Sequence, residues 1–108
     1  MKAAVPPSIE NKGIVRGCVV RSLAGHDRSE VFIALKVEGG FAWLADGRSR
    51  RHGCPKRKRV SHIRMIGSLP DIPALDAIEN LGDPGQRDAA LRKLLRPFAL
   101  TIPKEEET

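Results

Sequence analysis

The sequence predicts a mainly β fold, a small barrel of five short strands followed by a C-terminal α-helix. Two observations lead to this fold class. Runs rich in β-branched and aromatic residues alternate with turn sequences between residues 13 and 66. After residue 67, apolar residues recur at helical spacing instead. Short strands at such regular intervals favour a small barrel over an open sheet, and 108 residues, 41% of them hydrophobic, suffice for one domain with appendages.

The predicted strands comprise residues 13–22, 30–37, 41–45, 48–52 and 60–66. Glu38-Gly39-Gly40 predicts a tight turn between the second and third, and Asp46-Gly47 predicts a hairpin into the fourth. We expect Asp27 and Asp46 to be turn residues whose carboxylates accept nearby backbone N–H groups. Trp43 lies in a strand that reads as buried, so its ring is expected to anchor the core.

The composition changes at Gly67-Ser68-Leu69-Pro70, where we place the end of the barrel. The predicted divisions are a flexible N-terminal tail, a barrel, a helical appendage and an acidic tail, comprising residues 1–12, 13–67, 68–99 and 100–108. Within the appendage, Pro73 is expected to open a short helical turn. The main helix should begin at Asp83-Pro84, an N-cap followed by a first-turn proline, and end near Arg96 because of Pro97.

The main helix carries an apolar stripe formed by Leu91, Leu94, Leu95 and Phe98. We expect this stripe to pack against the barrel. The alternative is that it binds a partner protein, which would make the chain an interaction adaptor.

Positive charge is concentrated in one segment. The net charge is +6, and eight of the 19 Lys and Arg residues lie between Gly47 and Pro70, a stretch without Asp or Glu. Outside it, the remaining 11 are outnumbered by 13 acidic residues. Such a segment indicates an anionic partner, most commonly nucleic acid, although a solubility patch is the alternative. We expect all four cations from Lys56 to Arg59 to face solvent or a polyanion, because an interior could not hold them.

Three motifs in this order look like those of a known family. The first runs from Val15 to Asp27, the second is Ala45-Asp46-Gly47 with the arginines that follow, and the third begins at Pro55-Lys56. Together they resemble the KOW motif of bacterial KOW-domain RNA-binding proteins, relatives of an archaeal and eukaryotic large-subunit ribosomal protein. The matching positions are Gly17, Ser22, Ala24, Gly25, Asp27, Ala45, Asp46, Gly47, Arg48, Arg51, Pro55, Lys56, Lys58 and His62.

The resemblance implies an SH3-like barrel of KOW type that binds RNA, most notably ribosomal RNA, in a translation or ribosome-associated role. It places Gly17, Ser22, Gly25 and Asp27 in the loop of the KOW motif. The family usually has a glycine shortly after the aspartate of its first motif, whereas this chain has Ser29-Glu30, so a differently shaped loop is expected.

The candidate RNA-binding residues are the basic side chains of the charged segment, namely Arg48, Arg50, Arg51, His52, Lys56, Arg57, Lys58, Arg59, His62 and Arg64. The chain has one Trp, three Phe and no Tyr. With so few aromatic residues, we expect contacts mainly to phosphates and to RNA shape rather than to stacked bases.

No enzyme activity, metal or cofactor is predicted. His52, Cys54 and His62 match no zinc spacing, and the neighbouring cations would repel a divalent ion. His26 and Asp27 are adjacent in a loop, which does not make a catalytic triad.

The expected partners are RNA, in particular ribosomal RNA, and ribosomal proteins, with neither a membrane nor a small-molecule substrate. The sequence has no membrane-spanning apolar run, and residues 1–12 lack the apolar segment of an export signal. We therefore expect a cytoplasmic protein in which Cys18 and Cys54 are reduced, small buried residues. A transcription-elongation accessory module is a further alternative.

Overall fold

The computed structural model describes residues 12–69 and 72–100. Its strands are β1 (Cys18–Ser22), β2 (Val31–Glu38), β3 (Phe41–Ala45), β4 (Lys56–Arg59) and β5 (Ile63–Ser68). Its α-helices are α1 (Ile72–Glu79) and α2 (Pro84–Leu100), and a short 3-10 turn (Val60–His62) joins β4 to β5. The predicted mainly β fold with a C-terminal helix is confirmed. Apart from Lys12 and Leu100, the two predicted tails lie outside the described residues.

The strands form one antiparallel sheet in the order β4-β3-β2-β1-β5. Its two edge strands, β4 and β5, are not paired with each other within the described part of the chain, so the sheet resembles a barrel but is not closed. Apolar side chains on its inner face form an inner core, which comprises Ile14, Cys18, Val20, Phe32, Ala34, Ala42, Leu44, Val60 and Ile63.

A second core lies on the outer face of the same sheet, where the two helices cover it. The sheet contributes Val19, Ile33, Leu35 and Ala45 to this helix-covered core, and the segment from β5 onward contributes Leu69, Leu75, Ile78, Leu91 and Leu95. Leu94 and Phe98 pack against it, so the apolar stripe of α2 lies on the sheet as expected. Because Val19, Ile33 and Leu35 of β1 and β2 are buried under these helices, the helices share a core with the strands.

The predicted fourth strand, residues 48–52, is wrong. Those residues form a compact loop, and the strand that pairs with β3 is Lys56–Arg59. The Asp46 carboxylate accepts the N–H groups of Arg48 and Arg50 at 2.8 Å each. The Arg50 carbonyl in turn accepts the N–H groups of Asp46 and Gly47. These bonds confirm Asp46 as a turn residue and use the backbone groups that a strand would need for its ladder.

The helix predictions were correct at the start of α2 and wrong at its end. The Asp83 carboxylate accepts the Gln86 N–H at 2.9 Å, as an N-cap does. The helix continues past Pro97 to Leu100, however. A proline this close to the C-terminus removes only one hydrogen bond, and Phe98 packs beside Gly67, which holds the last turn against the sheet.

The structure also places four further residues for which the sequence made a prediction. Gly17 has φ +94°, and a Cβ on it would collide with the Ile72 side chain, so this glycine allows α1 to approach β1. Ser29 has φ +75°, the left-handed conformation that glycine adopts most easily. Cys18 is buried as expected, but Cys54 is exposed in the loop before β4, and both thiols are free.

Replacing Leu91 by Ala should destabilise the whole fold, because Leu91 is fully buried between α2 and the sheet. We expect a loss of about 2–5 kcal/mol in the free energy of unfolding, measured by urea denaturation. Lys93→Ala, on the exposed side of α2, is the matched control and should change it little. Equal stability of the two variants would show that the helices do not share a core with the strands.

Candidate nucleic-acid interface

Side chains of β4 alternate between the two faces of the sheet, which divides its four cations into two pairs. Lys56 and Lys58 point to the inner side, and Lys58 is only 8% exposed. Arg57 and Arg59 point outward and are exposed. The expectation that all four face solvent is therefore wrong for Lys58, because a carboxylate compensates its charge inside the protein.

That carboxylate belongs to Asp27. Lys58 Nζ donates to Asp27 Oδ1 at 2.8 Å and to the Ala24 carbonyl at 2.8 Å. The Ser22 hydroxyl donates to the same Oδ1 at 2.7 Å. Lys56 Nζ lies 3.1 Å from Oδ2, an ion pair without the geometry of a hydrogen bond. Asp27 lies in a turn, as predicted. Its carboxylate, however, is the centre of a mostly buried ion cluster and does not bond backbone N–H groups as expected.

Two opposing effects set the pKa of Asp27. Burial alone would raise the pKa of the carboxyl group, but hydrogen bonds from Lys58 and Ser22 and the adjacent Lys56 ammonium group outweigh burial and hold the pKa well below its ordinary value. The group is therefore ionised in the folded protein at all ordinary pH values.

The residues predicted to form the loop of the KOW motif make contacts within the protein. Ser22 is buried and bonded to Asp27, and Gly25 lies beside the Lys58 ammonium group. Gly17 contacts α1. Ser22, Gly25 and Asp27 hold the loop between β1 and β2 against β4. None of the four predicted residues belongs to the surface formed by Arg57 and Arg59.

The outer face of the sheet beyond the helices carries a compact group that we call the open face. It consists of Lys36, Glu38, Phe41, Trp43, Arg57 and Arg59. Strand register sets them in two rows across β2, β3 and β4. One row runs Lys36, Trp43, Arg57, and the other runs Glu38, Phe41, Arg59.

Both aromatic rings of the open face lie against cations. Lys36 Nζ is 4.9 Å from the Trp43 ring centre, and the guanidinium carbons of Arg57 and Arg59 are 4.6 and 5.1 Å from that of Phe41. Significant cation–π contacts occur about once per 70–80 residues, so three on one small surface indicate a specialised one.

The prediction that Trp43 anchors the core is wrong. Trp43 is half-buried and belongs to neither core, whereas its neighbours Ala42 and Leu44 fill the inner core. The side chains of β3 do alternate between two faces as predicted. Both faces of the sheet are partly apolar, however, so alternation alone does not show which face packs in the inner core.

The other predicted contact residues are dispersed. Arg48 and Arg51 are exposed in the loop after β3, and Arg50 is half-buried there. His62 is exposed on the 3-10 turn that joins β4 to β5, and Arg64 is exposed on β5, the other edge strand of the sheet.

His52 is engaged with the helices and does not lie at a free basic edge. Its backbone N–H donates to Asp88 Oδ1 at 2.8 Å, and its ring Nε2 lies 3.0 Å from Glu79 Oε2. Arg16 also binds Glu79, at 2.9 Å, and Asp76. Burial alone would raise the pKa of Glu79, but Arg16 and His52 hold it below its ordinary value. This network fastens α1 to the sheet.

No protein-family model matches this chain, and no curated protein matches it either. Neither helix is both long and apolar enough to cross a membrane, as judged over residues 12–69 and 72–100. Over the same residues, His, Cys, Asp and Glu side chains do not gather in threes where they could hold a metal ion.

The Asp27 cluster predicts a pH-dependent stability. Asp27→Asn removes one partner of a buried pair, which costs about 3 kcal/mol at neutral pH. A carboxyl group with a depressed folded-state pKa stabilises the fold above its unfolded-state pKa of about 4, and loses that contribution as the pH falls below it. The difference between wild type and Asp27→Asn in urea denaturation should therefore shrink as the pH is lowered from about 7 to about 3.

Glu38→Gln is the control, because Glu38 is an exposed carboxylate, and its effect on unfolding should be small at both pH values. A difference for Asp27→Asn that stays constant over this pH range would show that the pKa of Asp27 is not lowered in the folded protein.

Proposed function

We propose that this protein binds RNA through the open face. One observation carries the proposal, namely that two aromatic rings and three cations stand together on the part of the sheet that the helices leave uncovered. Protein surfaces that bind single-stranded nucleic acid combine the same two elements, a basic track for phosphates and aromatic rings on which bases stack.

Charge supports a polyanion as the ligand. The open face holds Lys36, Arg57 and Arg59 against one acid, Glu38, which pairs with Lys36 at 3.2 Å. Within the described residues, Arg57 and Arg59 have no carboxylate in ion-pair distance. Their guanidinium groups can bind phosphate oxygens in a bidentate manner.

The aromatic rings add unpaired bases to the expected ligand. Phe41 and Trp43 are half-buried, so ring surface remains available once the long side chains that cover it shift toward phosphates. The sequence leads us to expect contacts mainly to phosphates and to RNA shape. The open face adds stacked bases to these contacts, with a single-stranded part of a folded RNA lying across β3. The choice of RNA and a translation-related role with ribosomal RNA as ligand rest on the KOW resemblance, and a cytoplasmic location rests on the sequence patterns given above.

The first test concerns phosphates. Three phosphate contacts to a single strand give a slope of about −2 for log K against log salt. Arg57→Gln with Arg59→Gln should weaken binding to many RNAs alike and flatten that slope by about 1.4. Fluorescence anisotropy with a labelled single-stranded RNA at several salt concentrations measures both effects.

The control replaces the same number of charges elsewhere. Arg28→Gln with Lys93→Gln alters two exposed cations outside the open face and should leave the slope almost unchanged. Equal slopes and affinities for the two double variants, with both folded, would exclude the open face as the RNA-binding surface.

The second test concerns the bases. Trp43 is the only tryptophan and there is no tyrosine, so tryptophan fluorescence reports on the open face alone. A base that stacks there should quench this fluorescence, and Phe41→Ala should weaken binding of single-stranded RNA by about tenfold, the lower part of the range for a lost stacking contact. Fluorescence that does not change at saturating RNA would show that bases do not reach β3.

A further inference from the structure

A groove of about 560 Å³ lies between α2 and the sheet, away from the residues of the open face. Three arginines line it, Arg48 from the loop after β3 and Arg92 and Arg96 from α2. Val31 and Leu95 contribute apolar wall, and both pack in the helix-covered core. Small-molecule sites usually measure about 300–1,000 Å³ and combine an apolar wall with a few polar groups, as this groove does.

Contacts of the backbone hold the two sides of the groove together. Gly47 has φ +76°, and a Cβ there would collide with the backbone carbonyl of Asp88 on α2. Arg92 Nη1 donates to the Gly47 carbonyl at 2.6 Å. The loop after β3 is thus fixed on α2, and the groove between them is formed before any ligand arrives.

Electrostatics in the groove favour an anion. No carboxylate among the described residues lies within ion-pair distance of Arg48, Arg92 or Arg96. Asp46 also lines the groove, but its carboxylate is occupied by two backbone N–H groups and the Ser49 hydroxyl.

The opposing charge comes from Glu30, whose Oε1 lies 3.3 Å from Ser49 Oγ, a hydroxyl that already donates to Asp46. Guanidinium groups are the side chains best suited to phosphate, because their donors match its oxygens two at a time.

We propose that this arginine groove binds the phosphate end of a nucleotide, with the phosphate on the arginines and the rest of the nucleotide along the apolar wall. The nucleotide is either free or the phosphorylated terminus of an RNA chain, and the chemistry of recognition is the same for both. The proposal depends on residues that the open face does not use, so it can hold or fail independently of RNA binding there.

The test uses the full chain and adenosine 5′-monophosphate as the probe, with adenosine as the comparison. Binding is followed by amide chemical shifts, which also show where the probe lies. We expect shifts at Ser49 and along α2 near Arg96, and an affinity for the monophosphate about tenfold above that for adenosine, as for a lost charged hydrogen bond.

Variants distinguish the groove from general attraction to positive charge. Arg96→Gln should weaken monophosphate binding about tenfold, and Lys93→Gln, one exposed cation of α2 outside the groove lining, should leave it unchanged. Glu30→Gln removes the opposing carboxylate and should strengthen binding. If the monophosphate shifts no groove residues, or binds Arg96→Gln as well as it binds the wild type, the proposal is overturned.

A second arm identifies the source of the nucleotide. A short RNA with a 5′-phosphate is compared with the same RNA ending in a 5′-hydroxyl. Tighter binding of the phosphorylated RNA that disappears in Arg96→Gln assigns the groove to RNA ends. Equal binding of the two RNAs, together with monophosphate binding in the groove, assigns it to free nucleotides.

One double variant distinguishes a failure of this proposal from a failure of RNA binding at the open face. Arg57→Gln with Arg59→Gln should reduce binding of the hydroxyl-ended RNA and leave the monophosphate affinity unchanged, because neither arginine lines the groove. Loss of monophosphate binding in that double variant would contradict the placement of the phosphate on Arg48, Arg92 and Arg96.

Discussion

The packing of the two helices on the outer face of the sheet is the constraint on which the rest of this structure depends. Val19, Ile33 and Leu35 present apolar side chains on that face, and leaving three such side chains in water would cost several kcal/mol at about 25 cal/mol per Å². Helices α1 and α2 bury them. The coverage ends where β2 contains a bulge between Ala34 and Lys36, after which the outward positions of the strand are charged.

This boundary creates both candidate binding surfaces. Beyond the bulge, Phe41 and Trp43 have no helix above them, and cations from the neighbouring strands lie against their rings instead. On the covered side, α2 brings Arg92 and Arg96 next to the loop after β3, which forms the arginine groove. If a helix covered the whole outer face, the open face would be lost. If α2 were absent, the arginine groove would be lost.

The ion cluster at Asp27 explains why β4 presents arginines and not lysines to solvent. Shifting β4 by one residue would turn Arg57 and Arg59 inward and leave the Asp27 carboxylate without Lys58. An uncompensated buried charge costs about 3–5 kcal/mol, which is a large fraction of the stability of a domain this small. The buried pair therefore fixes the register of the edge strand, and through it the arrangement of the open face.

Local signals in the sequence predicted the elements that depend on local interactions. The turn at Glu38-Gly39-Gly40, strands β2 and β3, and the N-cap at Asp83 all follow from residues within a few positions of one another. The position of β4 does not follow from neighbouring residues. Lys58 can be buried only beside Asp27, which is 31 residues earlier in the chain. The alternation of lysine and arginine from Lys56 to Arg59 was the available signal, and it was read as a uniform run of charge.

The candidate site could be predicted only in part for the same reason. Arg57 and Arg59 were recognised as contact residues, but the residues that complete the open face come from β2 and β3 and meet them only through strand pairing. Nothing in the sequence groups Arg92 and Arg96 with Arg48, since their proximity is a property of the folded chain. Ser29 has a left-handed backbone, φ +75°, which its residue type does not signal.

Net charge alone does not show which cations of the basic segment can meet a ligand. Among the described residues, the members of this segment that pair with a carboxylate are His52, Lys56 and Lys58, and its arginines do not. A lysine ammonium is compact enough to lie in the Asp27 cluster, whereas the planar guanidinium group has five donors that a single buried carboxylate cannot satisfy. Burial therefore selects the lysines, and the arginines, whose geometry matches phosphate, remain on the surfaces from which a polyanion can be bound.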